Sequence, residues 1–314
     1  MQPNSIRSVL AATYLTPASD DVLGGAARLA RATDARLHVI HAFDLELSAY
    51  PGVEGGAPTF QGRMAQAEER LSAQLGQTVP GGMEAASREI VIYTAHRAIL
   101  ERAAQVRADV IVLGAHRHRG AGLLGTTADR VIRAATCPCL VVRRPLGLPL
   151  RRVLVPVDLS APARGALAEA LRWSEALGAA DPDLPLARVE VEVVHVMPRA
   201  LEGAELASVH ATVESRLAAQ VEAALEGHGS SIPVRDELLW GDDAAAEIGR
   251  YAERRDAGLI VMATHGHGAV KRALVGSVAS AVARTAPCSV LLVPPALWSG
   301  ADAGPAGDSA AALA

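Results

Sequence analysis

At 314 residues the chain has room for about two domains that each bury a core without staples. Half of its residues are hydrophobic but only 3% are aromatic, so that core must be built from Ala, Val, Leu and Ile, which favours helices packed on a buried sheet. A net charge of −4, with 30 scattered Lys and Arg residues, argues against a nucleic-acid or membrane partner. Cys137, Cys139 and Cys288 are too few for a disulfide framework, and no apolar stretch approaches the length of a membrane span. The opening "MQPNSIRSVLAATYL" lacks the pattern of a signal peptide, so the expected location is the cytoplasm.

In chain order, the first strand "VLAATYLTP" from Val9 is followed by the strand "LHVIHAF" and a helix striped by Phe60, Met64, Ala67, Leu71 and Leu75. The strand "ADVIVLGAH" then runs into a loop, "GAHRHRGAGLLGTT", and "TCPCLVV" closes the series. The linker "RRPLGLPLRR" breaks any element, which sets a boundary near Gly147. The whole series then returns: "VLVPVDLSA" answers the first strand, "VEVVHVM" the second, "AGLIVMATH" the fourth and "PCSVLLV" the last. A period of about 145 to 150 residues is one duplicated domain, 1–147 and 150–295, and not a solenoid. The residues from 296 to 314 hold little to bury and read as a flexible tail.

The second copy is the more explicit. Ser160 is placed to cap a helix whose apolar positions Leu167, Leu171, Ser174 and Leu177 keep helical spacing until Gly178 stops it. A long helix carries Leu206, Val209, Val213, Leu217, Val221 and Leu225 on one face, and a shorter one runs from about Asp243 to Arg255. Apolar strands alternating with amphipathic helices predict two doubly wound α/β domains, each with a five-stranded, mostly parallel sheet. Ligands in such sheets sit beyond the carboxyl ends of the strands where the winding reverses. Asp158, Val196 and Met262 occupy such ends.

The stretch "ATHGHGAVKRALVGS" from Ala263 suits an anion. Gly266 and Gly268 permit close backbone approach, and Gly276 and Ser277 stand at a helix start, whose free N–H groups attract phosphate. A plain sharp turn explains the glycines equally well. Lys271 lacks the flanking Gly and Ser or Thr of a Walker A loop, and the glycine spacing is not that of a dinucleotide fingerprint.

The ordered set "VPVDLS", "VVHV", "LIVMATHG", nine residues, "GS" and "APCSVLLV" resembles the universal stress protein family, and both copies resemble it. The resemblance implies a tandem member with the adenine nucleotide alpha hydrolase-like fold, an ATP site, and a role as sensor or regulator in a stress response. Carried over, the nucleotide-binding positions are Val157, Asp158, Val196, Met262, Ala263, His265, Gly266, Gly276, Ser277 and Val278. Ala263 stands where the family has its first glycine. Beside such a loop, Asp158 is better read as a neighbour of ribose or of a phosphate-bound Mg²⁺ than as a turn residue alone. The first copy departs further: Tyr14 replaces the acidic residue, Arg117 replaces a glycine, and seven residues separate Arg117 from Gly125 and Thr126. Its site is expected to be degenerate.

Three other sets have plainer explanations. His116 and His118, with His265 and His267, form a repeated His-x-His that lacks the further ligands of a metal centre. Cys137 and Cys139 precede a buried strand, and His41 and His195 lie in apolar strands, so packing accounts for them. The last strand of each copy is apolar to its end and is expected to pair with the other, a contact that single-domain relatives make between subunits; a further homodimer is compatible with it. An ATP-cleaving enzyme on a related fold is the disfavoured reading, because no nucleophile and base are arranged and hydrolysis would be slow at most. A nucleotide-free interaction module is the other.

Overall fold

A computed structural model of the chain describes residues 6–43, 60–79, 85–115, 126–178, 189–199, 203–266 and 275–297. The first half runs β1 (Ser8–Ala12), α1 (Asp20–Thr33), β2 (Arg36–Phe43), α2 (Phe60–Thr78), β3 (Ser87–Ile92), α3 (Ala95–Gln105), β4 (Val110–Gly114), α4 (Thr126–Ala134) and β5 (Cys139–Val142). The second half repeats it as β6 (Arg152–Pro156), α5 (Ala161–Leu177), β7 (Glu190–Met197), α6 (Gly203–His228), β8 (Val234–Trp240), α7 (Ala244–Arg254), β9 (Leu259–Ala263), α8 (Ser277–Thr285) and β10 (Ser289–Val293).

All ten strands form one sheet, in the order β3-β2-β1-β4-β5-β10-β9-β6-β7-β8. Neighbours within each half are parallel, as apolar strands joined by helical crossovers must be. β5 and β10 meet antiparallel, with Val141 opposite Val290, Leu140 opposite Leu291 and Cys139 opposite Leu292. In each half the winding starts at a central strand, runs outward, and returns to its other side, which creates a crevice between β1 and β4 and another between β6 and β9.

Strand alternation divides the core into two layers. Val9, Leu140, Val153, Val261 and Leu291 face α1, α2, α5 and α6, while Leu10, Val141, Leu154, Ile260 and Val290 face α3, α4, α7 and α8. Each layer contains side chains from both halves. The predicted stripe of α5 is buried, and Ala67, Leu71 and Leu75 of α2 are buried with Met64 half-buried. α6 buries Leu217 and Val221, whereas Val209 and Val213 are only half-buried. At about 1.5 Å per residue, its 26 residues outrun the sheet they cover.

Two expected helix ends differ in mechanism. Ser160 occupies the N-cap position of α5, yet its hydroxyl makes no cap bond to the helix; it donates to the Asp158 carboxylate. Gly178 ends α5 with φ −68°, not a left-handed one. Its glycine is required by space, because a Cβ there would collide with the Ser174 carbonyl and the Val189 side chain. By contrast, Asp243 caps α7 as its sequence suggests, accepting a hydrogen bond from Ala246 N at 3.1 Å.

The predicted tail beyond 297 and the first copy's loop, with His116, Arg117, His118 and Gly125, lie outside the described residues. So do His267, Gly268, Lys271 and Arg272.

Candidate functional site

The crevice between β6 and β9 opens into a cavity of about 720 Å³ at the carboxyl ends of β6, β7 and β9. Four separated segments supply most of its walls, 156–158, 194–196, 262–266 and 275–279, with Ala163 of α5 and Ala244 and Ile248 of α7 added. All ten positions named from the sequence line it: Val157, Asp158, Val196, Met262, Ala263, His265, Gly266, Gly276, Ser277 and Val278. Val157, Met262, Val275 and Ala279 are buried and make much of the wall apolar, whereas Ser277 and Val278 are exposed at the mouth. Such a lining suits a flat apolar ring inside and a charged group outside.

Asp158 stands two residues past the end of β6. Its Oδ1 accepts hydrogen bonds from Ser160 N at 3.1 Å and from the Ser160 hydroxyl. Leu159 between them takes a left-handed φ of +62°, which turns the chain sharply enough for both. The other carboxylate oxygen, Oδ2, lies against Gly266, where a built Cβ would collide with it. The glycine therefore brings the backbone of the loop after β9 against the carboxylate after β6, and no side chain larger than hydrogen fits the approach.

Thr264 holds the loop at its base. Its N–H bonds to Val293 O at 3.0 Å, anchoring it to the end of β10, and its carbonyl accepts Gly276 N at 2.7 Å, closing the two ends of the loop. Its hydroxyl donates to Val293 O at 3.3 Å and lies 2.8 Å from His265 Nδ1. This corrects one expectation: the Gly276 amide is spent on the loop closure and does not point into the cavity. The donors offered to an anion are those of the first turn of α8, Ser277, Val278 and Ala279, which have no carbonyl partner within the helix.

His195 lines the cavity as well, with Nδ1 2.8 Å from Val157 O. His41 repeats the arrangement in the first half, with Nδ1 2.8 Å from Thr13 O. Each histidine ties the end of one strand to the chain leaving its neighbour. The two halves otherwise diverge where the second is most site-like: Thr13 stands for Val157, Tyr14 for Asp158 and Ala115 for Thr264. Tyr14 is exposed.

Among the lining residues that the sequence reading missed are Ala244, Ile248 and Thr264, and His195, expected to be a packing residue, also faces the cavity. The two α7 residues belong to an ordinary amphipathic stripe, which carries no mark of which side meets a cavity. Thr264 was visible only as the residue between an apolar strand and a glycine.

Burial pushes the thiols of Cys137 and Cys288 up to about 12 and Cys139 well above the ordinary range, so all three are protonated packing residues. Among the described residues, no group of three or more His, Cys, Asp or Glu side chains could hold a metal ion, and no helix is long and apolar enough to cross a membrane.

Comparison with known proteins gives these features a family. The chain is 29% identical over 140 residues to universal stress protein A homolog 1 of Coxiella burnetii, covering 43% of this chain and 95% of that protein. It is 31% identical over 186 residues to universal stress protein Slr1230 of Synechocystis, covering 58% of this chain and 57% of that one. The fold matches a crystal structure of a universal stress protein from Archaeoglobus fulgidus with a TM-score of 0.62 at 19% identity, over 92% of this chain and 97% of that one. The model of the universal stress protein family matches twice, at residues 5–143 and 149–294, and the chain therefore belongs to that family, with two of its domains in tandem.

Proposed function

We propose that the second domain binds ATP with its Mg²⁺, and that the protein acts as a nucleotide-responsive sensor or regulator in a stress response. The observation that carries this reading is convergence: ten residues from separate segments, at positions carried over from the family pattern with Ala263 in place of its first glycine, line one cavity at the winding reversal. The residues fit such a ligand. The apolar wall around Val157, Val196 and Met262 would take the adenine ring, and the first turn of α8, with Ser277, would take phosphate oxygens. Asp158 places a negative charge beside that region, which favours a nucleotide accompanied by a divalent cation. The first domain, with Tyr14 at the matching position, is read as structural or regulatory.

This reading assigns no catalytic residue and requires no turnover. Mass spectrometry of small molecules released from natively purified protein should show an adenine nucleotide. Titration of the full chain with ATP and Mg²⁺ should saturate at one nucleotide per chain, and Gly266→Asp should abolish it by crowding and repelling Asp158. cAMP, with which one universal stress protein has been crystallised, is the second ligand to titrate. Failure of the wild-type protein to bind at millimolar nucleotide would sink the proposal, and a stoichiometry of two would overturn the reading of the first domain. The alternative, a nucleotide-free interaction module, predicts no binding at all.

A further inference from the structure

A second cavity, of about 490 Å³, lies at the seam between the two halves. Arg143 and Arg144, where the chain leaves β5, form one side; Gly249, Arg250 and Glu253 of α7 form another; Pro287, just past α8, completes the floor. The cavity belongs to neither crevice, since it is built partly from the first half and partly from helices of the second. α7 separates it from the larger cavity, facing that one with Ala244 and Ile248 and this one with Gly249, Arg250 and Glu253.

Its lining is cationic: three guanidinium groups stand against a single carboxylate, Glu253. The three are not equally committed. Arg143 is held by the last carbonyls of α8, donating to Ala286 O at 2.6 Å, to Ala283 O at 3.3 Å and to Arg284 O. Arg250 shares Glu247, with Nε 3.3 Å from Oε2 and Nη2 donating to Oε1, which among the described residues leaves part of its five-donor fork unused. Arg144 has no side-chain partner among the described residues, and its side chain is exposed. Its charge and that of Arg143 both act to lower the thiol pKa of buried Cys288, one residue past Pro287, although burial outweighs them. Positive potential therefore reaches the cavity floor.

We propose that this seam cavity binds a small oxyanion of the phosphate class, gripped by Arg144 from the first domain and Arg250 from the second. Planar forked donors on two sides of a concave site match the several oxygens of such an anion better than they match a carboxylate on a flat surface. An anion held there bridges the domains. The inference is independent of the nucleotide reading, because none of its residues lines the larger cavity.

The test is calorimetric titration of the full-length protein with inorganic pyrophosphate at constant ionic strength, comparing wild type with Arg144→Gln and Glu253→Gln. Arg144→Gln leaves the Arg143 bonds to α8 in place, and Glu253→Gln removes the opposing charge. The wild-type protein should saturate, Arg144→Gln should weaken the affinity about tenfold, and Glu253→Gln should strengthen it severalfold. Any affinity of the larger cavity for pyrophosphate is common to all three proteins and drops out of the comparison. Absence of saturable binding at millimolar pyrophosphate, or the same isotherm from all three proteins, would overturn the proposal.

Discussion

Gln220 shows what a single substitution between the two copies leaves behind. In the first half, the Gln74 side chain is fully used: Oε1 accepts from the Thr13 hydroxyl at 2.8 Å, and Nε2 donates to Thr16 O and Asp20 Oδ1. Its counterpart Gln220 donates to Ser160 O at 3.1 Å, but Val157 stands where Thr13 would be, and the buried Oε1 has no partner among the described residues. Val157→Thr restores the missing donor in the same shape, and it should stabilise the protein by about 1 kcal/mol, read as a shift in the urea midpoint. His38 and His41 give a second prediction at this scale. Burial lowers both pKa values, assisted at His38 by Arg102 and Arg36 and opposed at His41 by its bond to Thr13 O. The folded state thus binds these protons less readily than the unfolded state. Their stabilising effect is complete above about pH 6.5 and is lost as the pH falls through the lowered folded values. Unfolding free energies measured from about pH 8 down to about pH 5.5 should fall, and a His38→Asn, His41→Asn protein should lose less over that range.

Elements in this chain are fixed less by their own propensities than by a few bonds at their ends. α8 is a short helix with no side-chain cap at its start, where the Gly276 amide closes the loop onto Thr264, and its far end is covered by Arg143 from the other domain. Arg143→Ala removes charge-assisted bonds to three carbonyls together with a favourable charge at a helix C-terminus, and should cost about 2–3 kcal/mol in chemical denaturation. Arg143→Lys, which keeps the charge but not the fork, should recover part of that. None of this was legible beforehand. The spacing of Leu167, Leu171 and Leu177 gave α5, and Asp243 gave the start of α7, because periodicity and local capping are written in adjacent residues. The Ser160 hydroxyl turns back to Asp158 only two residues away, a choice between two local partners that the pattern alone leaves open, whereas the role of Gly178 and the Thr264 closure depend on atoms brought close only by folding: Val189 for the first, Gly276 and Val293 for the second. The positions around the larger cavity could be named from strand ends and family pattern, while the direction of the Gly276 amide could not.

At the level of the molecule, both core layers run through the two halves without a break, so the seam at β5 and β10 is an internal surface and not a hinge between separate bodies. Val142→Lys with Leu292→Lys, both at buried positions, should break it: the radius of gyration from solution scattering should rise, and unfolding, expected as one transition in the wild type, should split in two. Unchanged compactness would show that the helices alone hold the halves together. The tandem arrangement itself was readable from a duplicated order of motifs.

The antiparallel step between β5 and β10, the one such step among the described strands, has a directional result. Because strand polarity flips at β5 and β10, the crevice of the first half and the crevice of the second open toward opposite poles of the protein. A partner that docks over the mouth formed by Ser277 and Val278 leaves the pole carrying Tyr14 untouched, so one chain can present two unlike faces to two different neighbours at once.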